Sequence, residues 1–105
     1  MPRGSAAGHA RERQVVAWLR SRDWIAQRAP ASLGIDVIAL RAGDVPRLIE
    51  VKSTAAGPYE HFGPAARRAA STLAEIAGAE AWLVWWPSRG EMRWIAEAEW
   101  PEALR

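Results

Sequence analysis

The sequence predicts an α/β fold, a single domain in which a central mixed five-stranded sheet is flanked by helices. The chain has 105 residues, which is the length of one compact domain. Half of its residues are hydrophobic and a quarter are charged, as in ordinary globular domains. Helical segments and strand-like segments follow one another in the order α-β-β-β-α-β-β. That order is typical of an α/β domain.

Two segments have the periodicity of helices. Val15, Val16 and Leu19 form an apolar stripe that predicts a helix over residues 9–22. A second helix is predicted over residues 61–77, with Gly78 as its C-terminal stop. The residues expected on its apolar face are Phe62, Ala66, Ala69, Leu73 and Ile76. Residues 1–8 (MPRGSAAG) are predicted to be a flexible basic arm ahead of a folded domain of residues 9–105.

Five segments are rich in the residues that favour strands. They are residues 24–28, 35–40, 46–53, 80–86 and 91–96. Gly43 is free to adopt a positive φ in the turn after the second strand, so the second and third strands are predicted to form an antiparallel hairpin. The helix between the third and fourth strands permits parallel pairing there. The sheet is therefore predicted to be mixed.

The composition excludes several classes of protein. The chain has no cysteine, which excludes disulfides and cysteine-based zinc sites. No apolar run is long enough to span a membrane, and residues 1–8 lack the apolar core of a signal peptide. We therefore expect the protein in the cytoplasm, or in the host cytoplasm if a phage encodes it.

Positive charge is concentrated in the first two thirds of the chain. Residues 1–68 contain eleven Lys and Arg against six Asp and Glu, and residues 69–105 contain three against six. A basic surface of this kind suits nucleic-acid phosphates, although a solvated charged surface is the alternative. Lys52 is the only lysine beside thirteen arginines. A compact ammonium at a packed catalytic position would explain its retention.

The residues that carry chemistry are Asp36, Glu50 and Lys52. Side chains alternate along a strand, so Glu50 and Lys52 share a face while Ile49 and Val51 point into the core. Asp36 stands on the partner strand, where two converging carboxylates favour a hard cation such as Mg²⁺ between them. The Val51 carbonyl is a further candidate ligand. The alternatives are a surface ion pair for Glu50 and Lys52 and a turn residue for Asp36.

Other polar residues are placed around this set. Glu12 lies on the apolar side of the first helix, where it either joins the site or extends to solvent. His9 and His61 are interpreted as helix-end residues, because hard-cation sites prefer oxygen ligands.

The chain resembles the archaeal-type Holliday-junction resolvases of the PD-(D/E)xK nuclease superfamily, which also occur in some phages. The resemblance covers about residues 8–95 and depends on the order and spacing of short motifs. These motifs are Gly8, Glu12-Arg13, Arg28, Ser32, Gly34, Asp36-Val-Ile-Ala, Ile49-Glu-Val-Lys-Ser-Thr, Tyr59 and Gly78-Ala-Glu-Ala-Trp-Leu-Val.

The resemblance implies a restriction-endonuclease-like core and a homodimer that cuts four-way junctions. It implies that Asp36 and Glu50 bind Mg²⁺, for which Mn²⁺ is expected to substitute, with Glu12 as a further metal-site carboxylate. Lys52 would be catalytic, and Ser32 would belong to the active-site loop. Arg13 and Arg28 would contact the DNA backbone. Further residues expected to contact DNA are Arg3, Arg11 and Tyr59. Arg67 and Arg68 are predicted on the polar side of the second helix, where they either contact phosphates or face solvent. The loop after Lys52 is poorer in basic residues than is usual in this family.

Seven tryptophans in so small a chain also suggest an interface between subunits. Trp85 or Trp86, together with Trp82 or Trp94, are expected there. Two other functions remain open. One is a PD-(D/E)xK nuclease of restriction or repair type, and the other is a catalytically silent DNA-binding module, against which the intact Glu12, Asp36, Glu50 and Lys52 set argues.

Overall fold

The computed structural model describes residues 6–104, and within that range it contains two helices, five strands and three short 3-10 turns. The bounds are α1 Ala6–Arg20, β1 Ile25–Arg28, β2 Val37–Leu40, β3 Arg47–Ser53, α2 Pro64–Ala77, β4 Glu80–Trp86 and β5 Arg93–Ala96, with 3-10 turns at Ala31–Leu33, Glu97–Glu99 and Pro101–Leu104. Neither described helix is long and apolar enough to cross a membrane.

The five strands form one mixed sheet in the order β1-β2-β3-β4-β5. Its neighbours pair antiparallel except β3 and β4, which are parallel and joined by α2. The prediction of a mixed sheet with a β2–β3 hairpin is therefore confirmed. Gly43 has φ 82° in the hairpin turn, as expected. Most strands begin one or two residues later than the sequence patterns predict, and β4 has the predicted bounds.

Helix α1 covers one face of the sheet. Val15, Val16 and Leu19 are buried against Val37 and Ile49, which confirms the predicted apolar stripe. The helix begins at Ala6 rather than at His9, so residues 6–8, assigned to a flexible arm, are helical. Ala6 and Ala7 are strong helix formers and extend the helix backwards. Residues 1–5 of the predicted arm, including Arg3, lie outside the described residues.

Helix α2 covers the opposite face, but with a different side from the one predicted. Its buried residues are Arg67, Ala70 and Ala74, whereas Ile76 is 79% exposed. Small alanines at the contact let the helix lie close to the sheet. Arg67 is tolerated there because its guanidinium is satisfied: Nε and Nη2 each donate to a carboxylate oxygen of Glu102 at 2.7 Å, and Nη1 donates to the Phe62 carbonyl.

Tryptophans and one arginine form a stack on the α1 face of the sheet. The Arg47 guanidinium lies 4.7 Å from the Trp24 ring centroid and 4.6 Å from that of Trp82. The Trp94 ring follows, 5.9 Å from Trp82 and 4.9 Å from Trp18 of α1. The aromatic surface of β4 and β5 on this face is therefore packed within the chain.

The other two tryptophans of β4 also have partners in the chain itself. The Arg11 guanidinium lies 4.4 Å from the Trp86 ring centroid. The Trp85 indole N–H donates to the Thr54 carbonyl at 3.0 Å. The chain thus provides partners for these aromatics by itself, and their place at an interface between subunits stays a prediction.

Candidate metal-dependent nuclease site

Asp36 is held against the strand that carries the Glu50-Val51-Lys52 motif. It directly precedes β2, and its backbone N–H donates to the Ile49 carbonyl at 3.0 Å. The Val51 N–H in turn donates to Asp36 Oδ2 at 2.8 Å. In a strand the N–H and C=O of one residue point to the same side. The Val51 carbonyl therefore faces the Asp36 side of β3, as a candidate ligand should.

Glu50 and Lys52 point to the α2 face of the sheet, as the alternation of β3 predicts. Lys52 Nζ lies 3.7 Å from Glu50 Oε2. The two side chains are largely screened from solvent, with exposures of 25% for Lys52 and 12% for Glu50. This arrangement differs from a solvated surface ion pair, because most of each charged group is removed from water.

The two carboxylates strongly influence each other. Burial, and then the negative charge of Asp36, raise the pKa of the Glu50 carboxyl to about 7, against the opposing effect of Lys52. Burial likewise raises the pKa of Asp36 above its ordinary value, and the Val51 N–H opposes the rise. The charge of Glu12 raises the Asp36 pKa further. In the absence of a cation, this site therefore favours holding a proton.

Glu12 reaches the same site from α1. Its Oε1 accepts a hydrogen bond from Arg28 Nε at 2.8 Å, and its side chain is 17% exposed. The pair joins the helix to the end of β1. Glu12 is therefore oriented by Arg28 rather than extended to solvent.

These groups line one open cavity of about 530 Å³ at the end of the sheet, between the first turns of the two helices. The sequence-predicted residues that it brings together are Glu12, Arg28, Asp36, Glu50, Val51 and Lys52. The cavity is also lined by Gly8, His9, Ala29, Ala31, Gly34, Ile35 and Ala66.

The residues fit a divalent cation of the Mg²⁺ type. The convergence of Asp36 and Glu50, with the raised pKa values, is the pattern that a positive ion relieves. Among the described residues no cluster of three or more acidic, His or Cys side chains could hold a metal by itself. Two carboxylates, a backbone carbonyl and waters suit Mg²⁺, which keeps several waters when bound to proteins.

Comparison with known proteins agrees with this geometry. The sequence pattern of the archaeal Holliday junction resolvase family (Hjc) matches residues 3–103. The chain belongs to this family. It is thus a nuclease of the class that resolves Holliday junctions, in DNA recombination and repair.

A solved structure shows the same fold. Hjc of Archaeoglobus fulgidus, a Holliday junction resolvase from an archaeal hyperthermophile, is 23% identical to this chain, with a TM-score of 0.73. The match covers 88% of this chain and 74% of that one. No curated protein sequence matches significantly.

Several residues predicted from the Hjc resemblance lie outside the cavity. Ser32 is exposed in the turn Ala31–Leu33 and does not line it, although Ala31 and Gly34 do. Tyr59 packs against the core below α2, with Arg67 stacked 5.1 Å from its ring centroid.

Arg28 lines the cavity, and four other predicted DNA-contacting arginines of the described residues lie outside its lining. Arg67 is only 7% exposed and is paired with Glu102, which corrects the prediction that it lies on a polar helix face. Arg11 stacks on Trp86, away from the cavity lining. Arg13 and Arg68 are exposed on α1 and α2.

Sequence reasoning missed two features of the site. His9 lines the cavity one turn before Glu12, a position that the i, i+3 spacing on α1 would have indicated. Trp85 anchors the loop that follows Lys52, since its indole N–H bonds both the carbonyl and the hydroxyl of Thr54. No local sequence signal predicts the Trp85 contact, because it joins residues 31 positions apart.

Proposed function

We propose that this Hjc-family chain cuts four-way DNA junctions by hydrolysis that depends on Mg²⁺, with Mn²⁺ able to substitute. Asp36, Glu50 and the Val51 carbonyl would hold the ion, and Glu12 would complete the site through bound water. The observation that carries the proposal is the convergence of the Asp36 and Glu50 carboxylates in a buried site, where burial and the charge of Asp36 raise the pKa of Glu50 to about 7.

Each side chain has a separate role in this proposal. When bound, the ion supplies a water of lowered pKa and neutralises charge on the scissile phosphate. Lys52 donates hydrogen bonds to that water or to the phosphate as negative charge develops. Glu50 holds the Lys52 ammonium in place at 3.7 Å. Arg28 orients Glu12 and lines the cavity, where its guanidinium would bind a phosphate oxygen.

The test is a cleavage assay on three labelled substrates of matched sequence: a four-way junction, a flap and a linear duplex. We expect paired, symmetric nicks in the junction with Mg²⁺ or Mn²⁺, and none in EDTA. Preferential cutting of the flap or the duplex would instead indicate a repair or restriction type of nuclease. Junction binding without cleavage in either metal would indicate a silent binding module.

We also propose that the chain acts as a homodimer in the cytoplasm. A four-way junction presents two symmetry-related scissile phosphates, and each chain has one catalytic cavity, so a two-fold dimer supplies matched sites.

The surface that fits this role lies on the α2 side of the sheet. Helix α2 contacts β3 and β4, and it leaves the cross-strand pair Ile25 and Leu40 exposed by 73% and 44%. Ser71 faces the C-terminal turns, where its hydroxyl donates to Glu97. The opposite flank of α2, which carries Leu73, therefore lies toward the uncovered strands β1 and β2, and Ile76 is exposed further round the helix from the same flank.

This flank is the apolar row that the sequence pattern places on one side of α2. It also includes Ala66, which lines the catalytic cavity. A second chain on this surface would therefore bury the exposed Ile25, Leu40 and Ile76 and would lie beside the catalytic site. Apolar patches of this kind on a lone chain promote association.

A further inference from the structure

A groove between α1 and the edge strand β1 contains three arginine side chains. It has a volume of about 560 Å³ and is lined by Arg13, Val16, Ala17, Arg20, Gln27 and Arg28. No carboxylate is among these lining residues. The acidic group next to it is Glu12, which pairs with Arg28 Nε from the side of the catalytic cavity. The groove, called the arginine groove below, is thus a concentrated positive surface.

We infer that the arginine groove binds the sugar-phosphate backbone of the DNA strand that leaves the catalytic cavity, and that Arg20 contacts a phosphate there. The inference rests on the proposed function, since it concerns the DNA that occupies that cavity. The relation that carries it is continuity: Arg28 lines both the cavity and the groove. A strand whose phosphate lies against Arg28 therefore continues directly between Arg13 and Arg20.

Arg20 is already oriented for this contact. Its Nε donates to the Ala26 carbonyl at 3.0 Å. The Ala29 N–H pairs with the Asp36 carbonyl, so alternation along β1 leaves the backbone groups of Ala26 and Arg28 on the outer edge of the sheet. The bond to Ala26 thus fixes Arg20 across that edge. The two terminal guanidinium nitrogens of Arg20 have no partner within the part of the chain that the structure describes.

The shape and length of the groove suit a phosphate backbone. Val16 is 7% exposed and forms an apolar floor, and Ala17 has a side chain small enough for close approach. Arg13 and Arg20 are seven residues apart on α1, which corresponds to about 10 Å along the helix axis. A DNA strand carries one phosphate for each nucleotide, so a groove of this length can contact two successive phosphates.

The first test measures binding of a four-way junction in EDTA over a range of NaCl concentrations. The association constant K falls as salt is added, and each lost phosphate contact makes the plot of log K against log salt shallower by about 0.9. Arg20→Gln should therefore make the plot shallower by about that amount and weaken binding about fivefold to tenfold at ~0.1 M salt. Arg20→Lys keeps the charge and should keep the slope. Arg22→Gln is the matched control, because Arg22 stacks on Trp18 at 3.8 Å and does not line the groove.

The second test locates the contact. A series of junctions is compared, each with one neutral methylphosphonate at a different position within about three phosphates of the mapped cut. At one of these positions the neutral linkage should weaken binding of the wild-type protein. Arg20→Gln should be insensitive at that same position, because the contact is already lost. Should Arg20→Gln unfold, Ala17→Glu places a carboxylate on the exposed groove wall and should weaken binding instead.

The outcomes separate the two proposals. Wild-type protein that neither prefers nor cuts junctions overturns the proposed function. Wild-type protein that cuts junctions, while Arg20→Gln or Ala17→Glu keeps the wild-type salt slope and methylphosphonate profile, overturns the arginine groove alone.

Discussion

The Val51 N–H donates to the Asp36 carboxylate at 2.8 Å and so joins the entry of β2 to the strand that carries Glu50 and Lys52. This bond satisfies Oδ2 of Asp36. Val51 is thus both a strand residue and a support for a site carboxylate, and its carbonyl faces the same side. The relation explains how residues 14 positions apart in sequence, Asp36 and Glu50, come to share one charge environment.

Asp36→Asn and Glu50→Gln should each abolish cleavage while leaving junction binding largely intact. Each change removes a carboxylate proposed to bind the ion, and we expect a rate loss of at least about 10²-fold. Single-turnover cleavage and gel-shift binding on the same junction measure the two effects separately. Glu12→Gln should be impaired less, because Glu12 is already paired with Arg28. Near wild-type cutting by Asp36→Asn or Glu50→Gln would refute the metal assignment.

The stability of the metal-free protein should depend on the Glu50 carboxyl. Its pKa is raised from an ordinary value of 4.5 to about 7 in the folded state. Below about pH 4.5 the group is protonated in both the folded and unfolded states. As pH rises from there through about 7, the unfolded chain loses the proton first, so the free energy of unfolding falls.

Glu50→Gln should therefore unfold at higher temperature than wild type at pH 8 in EDTA. A rise from 4.5 to about 7, at ~1.4 kcal/mol for each pKa unit, corresponds to a gain on the order of 3 kcal/mol. The difference should vanish near pH 4.5, and Mg²⁺ should stabilise wild type more than the variant. Glu91→Gln, in the exposed loop before β5, is the control and should change nothing. Equal melting temperatures at pH 8 would mean that burial and the charge of Asp36 do not destabilise the ionised form of Glu50.

The core of the site was predictable because strand geometry is regular. The alternation of β3 places Glu50 and Lys52 on one face, and the hairpin turn at Gly43 brings β2 alongside it. Neither step needs knowledge of distant contacts. The link between Glu12 and Arg28 was different, since it joins α1 to β1 across 16 residues and depends on how the helix lies on the sheet.

The side of α2 that faces the core was not predictable from hydrophobicity. The sequence pattern favours the row ending at Ile76, whereas the structure buries Arg67, Ala70 and Ala74. The difference arises because Glu102, 35 residues away, neutralises Arg67. A pattern that scores arginine as polar cannot include such a partner. The same limitation produced the expectation that Arg67 contacts DNA.

Lys52→Arg should inactivate the enzyme. The ammonium lies 3.7 Å from Glu50 and is 25% exposed, so a bulkier planar guanidinium does not fit the same position. Because the charge is kept, junction affinity in EDTA should change little. Single-turnover cleavage with Mg²⁺ is the measurement. Activity in Lys52→Arg within a few-fold of wild type would show that only the charge at this position is required.

The stack around Arg47 should contribute to folding stability. Its guanidinium lies within 5 Å of the Trp24 and Trp82 ring centroids, on the side of the sheet under α1. Arg47→Ala should lower the free energy of unfolding by about 1–2 kcal/mol, through lost cation–π contacts and packing of the side-chain stem. Arg89→Ala, in the exposed turn after β4, is the control. Equal urea midpoints for the two variants would exclude a structural role for the stack.

The homodimer should depend on the flank of α2 that faces β1 and β2. Ile76→Lys places a charge on the apolar surface formed with Ile25 and Leu40, so it should shift the protein from dimer to monomer without unfolding it. Light scattering at micromolar concentration measures the mass. Ser88→Lys is the control, because Ser88 is exposed in the turn after β4, at the opposite end of that strand from Ile76. The monomeric variant should lose paired nicking.

Mixed dimers test the same relation through catalysis. A dimer that combines one wild-type chain with one Glu50→Gln chain has a single intact site, so it should nick one strand and leave the junction unresolved. Wild-type protein that remains a monomer at concentrations where it makes paired, symmetric nicks would rule the dimer out. If instead Ile76→Lys stays dimeric, the two chains associate through another surface, and the exposed pair Ile25 and Leu40 has a different role.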